Sequence, residues 1–296
     1  MSTIFRDKIT IDNGVDRFAA NDLSDSNPMP YRLKVDLLEG WRNTASLDAV
    51  IIPRGISDGA VFGQRFPAKE RYLLMGGYFV GETREDADNA EDELVRRLPL
   101  NVDMELIRHE PTPKTSTVRV YDAIEFQREP FENEFRFLVP LVAGDPNKYG
   151  LDPLSGETGV SIPAQYGRMY PRSYPLGYFS TSGAVESFAD IFVGGTTTTK
   201  KIISTLTGPL VRGAWRIVNR VNGEERVLSF NVGLTAGQTL VIDHKDHTAY
   251  LNGYPVQIGM EGEWWGMEPG QNRISLVAGD FNEEARLNVQ AYSAWR

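Results

Sequence analysis

Residues 237–253 read Gly-Gln-Thr-Leu-Val-Ile-Asp-His-Lys-Asp-His-Thr-Ala-Tyr-Leu-Asn-Gly. Thr239–Ile242 and Thr248–Leu251 are short strand-like runs, and Asn252-Gly253 is the dipeptide preferred where both central residues of a tight hairpin turn need positive φ. Val221-Asn-Gly-Glu224 repeats that turn chemistry upstream. Strand candidates spread outward from these turns at Ser187–Val193, Lys201–Leu206, Ala214–Val218, Val227–Val232, Ile274–Ala278 and Ala285–Ala291. Short strands at this spacing predict a β-sandwich or jelly roll.

The amino-terminal half reads differently. Residues 1–80 form short strands broken by turns: Tyr31-Arg-Leu-Lys-Val-Asp-Leu37 alternates at period two, Ala49 to Ile52 is a short apolar run, and Gly55, Gly59 and Gly63 punctuate the next stretch. One helix comes after it, because Thr83 with Asp86 three residues later makes a capping signal and Arg96 and Arg97 suit a negative helix end. Its apolar positions Ala87, Ala90, Leu94 and Leu98 lie on one narrow face, and Pro99 stops it. Strands resume at Val102–Ile107, Thr115–Val120 and Phe135–Leu141, the last two alternating as strands with one solvated face do.

From Ala143 to Pro175, Gly-Asp-Pro, Lys-Tyr-Gly, Asp-Pro-Leu-Ser-Gly and Tyr-Pro crowd together, which predicts little regular structure. The domain boundary is placed near Gly144–Gly150, giving domains at 1–146 and 147–296. The fold class expected is mainly β, an amino-terminal sandwich or barrel with one α-helix and a carboxyl-terminal sandwich.

A chain of 296 residues with 41% hydrophobic residues can bury two cores. With 31 Lys plus Arg against 40 Asp plus Glu, the formal charge of −9 disfavours specific nucleic-acid binding, which needs a basic face. The absence of cysteine excludes disulfides, thiolate metal sites and cysteine nucleophiles, and fits synthesis in a reducing cytoplasm. The start, MSTIFRDKITIDNG, lacks the apolar run of a signal peptide, and no stretch reaches membrane-spanning length, so membrane insertion is not expected.

The order Gly-Gln-Thr-Leu-Val-Ile-Asp243, Ala-Tyr-Leu-Asn-Gly253, Trp265 and Pro-Gly-Gln-Asn-Arg-Ile274 resembles the carboxyl domain of siphophage distal tail proteins. The amino half is similar to the same family in Gly-Trp41, the Arg71 strand, the single helix, the Val118-Arg-Val strand, Phe-x-Phe-x-Val-Pro-Leu141 and Asp-Pro-x-x-Tyr-Gly150. The resemblance implies a virion structural protein at the distal end of the tail. It further implies a ring, usually a hexamer, whose amino domain stacks around a DNA channel and whose galectin-like carboxyl domain points outward. The implied partners are other copies of the chain, the tail tube, the tape-measure, the hub and the receptor-binding proteins. The connector from Leu151 to Tyr178 is longer than a plain linker requires, and no family motif assigns ring contacts residue by residue.

Several residue groups raise other chemistry. Asp243-His-Lys-Asp-His247 collects imidazoles and carboxylates as a metal site would. Strand alternation would send His244 and His247 to opposite faces, so a polar hairpin loop is the reading adopted and no metal is assigned. Trp264 and Trp265, beside Glu261 and Glu263, are the candidate platform for a glycan, the alternative function being a carbohydrate-binding tail adhesin. On a strand, one of two adjacent residues normally faces the core, which predicts a buried tryptophan beside an exposed one. The helix carboxylates Glu85, Asp86, Asp88, Glu91, Asp92 and Glu93 are read as a solvated, dipole-compensating face. Ser180-Thr-Ser-Gly183 lacks the Gly-x-Ser-x-Gly elbow, His109 sits at a strand edge, and no phosphate-cradling glycine loop occurs. No catalytic residue or cofactor is assigned.

Overall fold

The computed structural model describes residues 7–22, 24, 29–48, 51–53, 60–62, 67–128, 133–161, 186–256, 259–279 and 283–296. The chain divides into two compact units, Met1–Leu151 and Asp152–Trp295, each mainly β.

In the first unit the strands are β1 (Lys8–Asp12), β2 (Arg17–Ala20), β3 (Lys34–Glu39), β4 (Ile51–Pro53), β5 (Ala60–Phe62) and β6 (Arg71–Val80). The helix α1 (Arg84–Arg97) comes next. It precedes β7 (Met104–His109), β8 (Lys114–Val120), β9 (Glu125–Arg128), β10 (Glu134–Ala143) and β11 (Lys148–Gly150). The strand order is β2-β1-β7-β8-β10-β6-β3, with β9 beside β10 and β11 beside β8. β8 pairs with β7 along Lys114–Val118 but meets β10 only at Arg119 and Val120. The sheet therefore folds over at this corner into two layers. Ile9, Ile11, Phe18, Leu106 and Val118 of one layer pack in the same core as Met75, Phe79, Phe135, Phe137 and Val139 of the other. One face of α1 closes this core with Ala87, Ala90 and Leu94, as its spacing predicts. Thr83 and Asp86 form a reciprocal capping box, which satisfies amides that the first turn leaves without helical partners.

In the second unit the strands are β12 (Leu154–Ser161), β13 (Ala189–Val193), β14 (Ile202–Thr207), β15 (Trp215–Val221), β16 (Glu224–Phe230) and β17 (Thr239–Asp243). They continue with β18 (Thr248–Leu251), β19 (Tyr254–Pro255), β20 (Met260–Gly262), β21 (Gly270–Ala278) and β22 (Arg286–Ala291). One layer runs β19-β18-β17-β14-β22-β12 and the other β21-β15-β16-β20, with β13 on β21. β12 belongs to both. Leu154–Gly159 pair antiparallel with β22, and Val160 and Ser161 pair parallel with β21. Within the stretch of β12 that pairs with β22, Gly156 leaves no room for a Cβ, which would lie 2.9 Å from the Ala189 Cβ and 3.0 Å from Ile191. Ile202, Leu206, Leu240, Ile242, Leu287 and Val289 face Ile191, Trp215, Ile217, Leu228, Ile274 and Leu276 across a single core.

The structure corrects one expectation. The stretch Ala143–Pro175, expected to hold little regular structure, contains β11 and β12. The Gly, Pro and Asp content that reads as loop is overridden by pairing to distant strands, β8 for β11, and β22 and β21 for β12. The two compact units part between Leu151 and Asp152. The rest of the connector, 162–178, lies outside the described residues, as do Gly55, Gly59, Gly63 and Ser180–Gly183.

Candidate functional site

The residues that carry the family resemblance are occupied with holding the backbone. In the second unit, Asn222 and Asn252 have φ of 52° and 50°, and Gly223 and Gly253 both have φ of 84°, as a tight hairpin with two left-handed residues requires. Asn252 Oδ1 accepts from the Thr239 amide at 2.9 Å, which locks the β17–β18 pair at its far end. Asp243 ends β17, and its Oδ1 accepts from the Lys245 and Asp246 amides at 2.8 and 3.1 Å, turning the chain. Asn272 is fully buried. Its Oδ1 accepts from the Glu268 amide at 3.2 Å, and its Nδ2 donates to the Glu268 and Gly270 carbonyls at 2.8 and 3.2 Å. This explains the Pro-Gly-x-Asn element: the asparagine supplies the hydrogen bonds that the tight entry into β21 leaves open.

In the first unit three motifs separated in sequence meet in one clasp. Arg71, at the head of β6, is 3% exposed. Its Nε and Nη2 donate to the Pro146 carbonyl at 3.2 and 2.8 Å, and its Nη1 donates to the carbonyls of Gly40, at 3.1 Å, and Asn43. Lys148, 6% exposed, donates from Nζ to the Trp41 carbonyl at 2.7 Å, with the same ammonium 5.5 Å from the Trp41 ring centroid. Burial, reinforced by the nearby Arg71, pulls the Lys148 ammonium down to about 8. The Tyr149 hydroxyl donates to Asp145 Oδ2 at 2.6 Å, and burial pushes its pKa up. Gly40-Trp41, Arg71 and the Asp145–Gly150 motif are thus one structural element. Lys148 was missed by the sequence reading, where it stood as an unspecified position, and no local signal marks a lysine whose partner is Trp41.

The candidate platform residues lie apart from this clasp, in the second unit. Trp265 is 3% exposed and belongs to the core, whereas Trp264 is half-buried. His247 stacks on Trp264, with ring centroids 4.7 Å apart and an angle of 14° between planes. His244 meets Trp264 edge-on at 5.9 Å and packs against Trp265 at 4.5 Å. The segment is a hairpin turn, as the sequence reading adopted, and the strand alternation that would separate the two histidines does not apply, because β17 ends at Asp243 and the chain turns there. With His247 at φ 56°, both rings reach the same tryptophan. His244 Nε2 and Ser204 Oγ are 3.0 Å apart, and burial pulls the His244 pKa down to about 4. Among the described residues, no cluster of three or more His, Cys, Asp or Glu is arranged to hold a metal.

Four of the six helix carboxylates are tied into ion pairs and the cap. Glu93 binds Arg96 and Arg97 at 2.7 and 2.6 Å, Asp88 and Glu91 bind Arg128 at 2.5 and 2.8 Å, and Asp86 serves Thr83. Hydrogen bonds from these partners hold Glu93 and Asp86 below the usual carboxylate range, the reverse of a general acid. His109 ends β7 and lies 3.0 Å from Thr10 Oγ1.

Residues 194–289 match the family model described as siphovirus-type tail component, C-terminal domain. No curated protein matches the chain. Among solved structures, the chain is similar to the Dit protein of phage SPP1, described as a paradigm of the hub adsorption apparatus in phages infecting Gram-positive hosts. The TM-score is 0.63 at 14% identity, covering 97% of this chain and 99% of that one. Structures of the activated phage p2 baseplate with Ca and with Sr align at a TM-score of 0.45 and 11% and 12% identity, over 98% and 97% of both chains. Residues 194–289 of the second unit thus match the siphovirus-type tail component model, and the chain over nearly its whole length has the fold of the SPP1 Dit protein.

Proposed function

We propose that the protein is a structural component of a siphophage tail tip, made in the host cytoplasm, and that it acts by assembly and not by turnover. The observation that carries this reading is the use of the signature residues. Arg71, Trp41, Asn252, Asn272 and Trp265 are spent on turns, clasps and core. An architectural protein is selected for such a framework, whereas an enzyme needs reactive groups converging in a cleft.

In this reading the first unit forms a ring, a hexamer as the fold family suggests, with a channel for DNA. The second is a galectin-like domain carried on the outside. A surface suited to a neighbouring copy lies on the outer side of β3, β6 and β10. There Tyr72 and Tyr121 are 56% and 52% exposed and touch edge to face at 5.5 Å, beside Leu37, Leu74, Leu138, Pro140 and Val142. A solvated sheet face would alternate to polar residues here. The net charge of −9 suits a lumen that must pass DNA without gripping it. The tube, tape-measure, hub and receptor-binding proteins are the partners above and below.

Native mass by light scattering, with negative-stain images of the same fraction, tests this. Closed cyclic symmetry is expected to give rings of about six times 33.1 kDa. A monomer at every concentration sinks self-assembly. The adhesin reading retains one observation, the half-buried aromatic Trp264 beside His247. It requires glycan binding that disappears in a folded Trp264→Ala variant.

A further inference from the structure

The turn between β17 and β18 holds two of the three histidines of the chain against two adjacent tryptophans. His244 is 1% exposed. An imidazolium carries two N–H donors, whichever tautomer the neutral ring adopts. Among the described residues, His244 has one side-chain acceptor at hydrogen-bonding distance, Ser204 Oγ at 3.0 Å on Nε2. Nδ1 meets no partner of hydrogen-bonding geometry among the described residues, although the Trp265 main chain lies beside it, and the neighbouring Trp265 Nε1 is likewise buried without a partner among them.

We propose that His244 and His247 form an acid-operated latch: proton uptake from solvent by His244 expels its ring from between Ser204 and Trp265 and releases the Trp264–Trp265 segment from the β17–β18 turn. The charged groups facing His244 do not prevent this. Asp243, on the same turn, favours the cation, but its Oδ1 is already engaged by the Lys245 and Asp246 amides. His247 opposes the cation. β14 presents only the Ser204 hydroxyl, and the segment packed opposite presents the rings of Trp264 and Trp265 together with the Trp265 main chain, which favours the cation but is outweighed by burial. The burial-depressed pKa of about 4 has the same sign as the geometry, because the folded pocket favours the neutral ring. The latch does not depend on ring assembly or on the tail-tip reading.

The test is an acid titration of the full chain, from about pH 7.5 to about pH 4, followed by tryptophan emission and near-ultraviolet circular dichroism. The wild-type protein is expected to show a reversible red shift with its midpoint between 4 and 6.5, the folded and reference values for His244. His244→Phe, which keeps a ring in the pocket without a proton site, is expected to lower the midpoint by about one pH unit or more. His109→Asn, which removes the remaining histidine, is expected to leave it in place. An unchanged midpoint in His244→Phe overturns the proposal. If that variant does not fold at neutral pH, imidazole resonances of the wild-type protein decide instead. Protonation of His244 with no concurrent shift of the Trp264 and Trp265 indole signals overturns the latch, and a concerted shift supports it.

Discussion

In the first unit the buried bases Arg71 and Lys148 are held against main-chain carbonyls, whereas in the second His244 is buried as a neutral ring against Ser204 and two tryptophans. Burying charge is costly unless it is hydrogen-bonded, and the two units answer that cost differently. Carbonyls of the 40–43 and 145–148 loops solvate the guanidinium and ammonium, so their charges become the clasp itself. The histidine has too few partners to hold a charge and stays neutral. The comparison teaches that a buried base can be a fixed strut or a point of pH sensitivity, and that the acceptors around it decide which.

The largest effect expected distinguishes core from stack. Trp265→Ala is expected to destabilise the second unit by about 3–5 kcal/mol, the range for truncating a buried aromatic. Trp264→Ala, at a half-buried ring, is expected to cost less than half as much. Calorimetry that finds equal costs would show Trp264 to be as much a core residue as Trp265.

Next come the clasp residues. Arg71→Met strands the carbonyls of Gly40, Asn43 and Pro146 and is expected to cost about 3 kcal/mol in urea unfolding. Lys148→Met gives up one hydrogen bond but also a buried charge, and is expected to fall within about 1 kcal/mol of wild type. A large loss in Lys148→Met would mean that its charge, and not the carbonyl network of Arg71, holds the clasp.

The pH responses sharpen the same contrast. Both groups have folded pKa values below their reference values, so the unfolded chain binds the extra proton and stability rises with pH across each window. For His244 the contribution is fully present above 6.5 and is lost as pH falls to about 4, by roughly 3 kcal/mol in the second unit. For Lys148 the window runs from about 8 to 10.5, so below 8 the first unit already bears the whole cost and acid adds nothing more from this group. Hydrogen exchange at about pH 5 is therefore expected to loosen β14, β17 and β18 before the clasp around β6. The reverse order would invert the comparison.

The smallest effects are local. Thr83→Ala removes the cap of α1 and is expected to cost about 1 kcal/mol. Asn252→Ala loses the bond to the Thr239 amide and replaces an asparagine, which tolerates positive φ, by a residue that adopts it less readily, for about 1 kcal/mol as well. Paired chemical denaturation curves would show whether helix cap and hairpin turn matter equally.

Much of the framework was legible in the residues alone. The capping box Thr83/Asp86, the apolar stripe of α1, the two Asn-Gly turns and most strands of the second unit come from signals spanning a few residues. That one of Trp264 and Trp265 turns inward was legible as well. Less legible were β12, whose Gly-rich run reads as loop, the strut Lys148, and the common packing of His244 and His247.

The sequence by itself determined where the helix starts and stops, where the chain reverses at Asn-Gly, and that two β-rich cores exist. Capping, positive φ and side-chain alternation are set by neighbours within one turn or one strand. Only the tertiary structure decided that Trp41 accepts from Lys148, that β12 joins the two layers of the second unit, and that His244 stays neutral between Ser204 and Trp265. Those outcomes depend on partners tens of residues or more away, and local periodicity carries no record of which distant group will be brought within hydrogen-bonding distance.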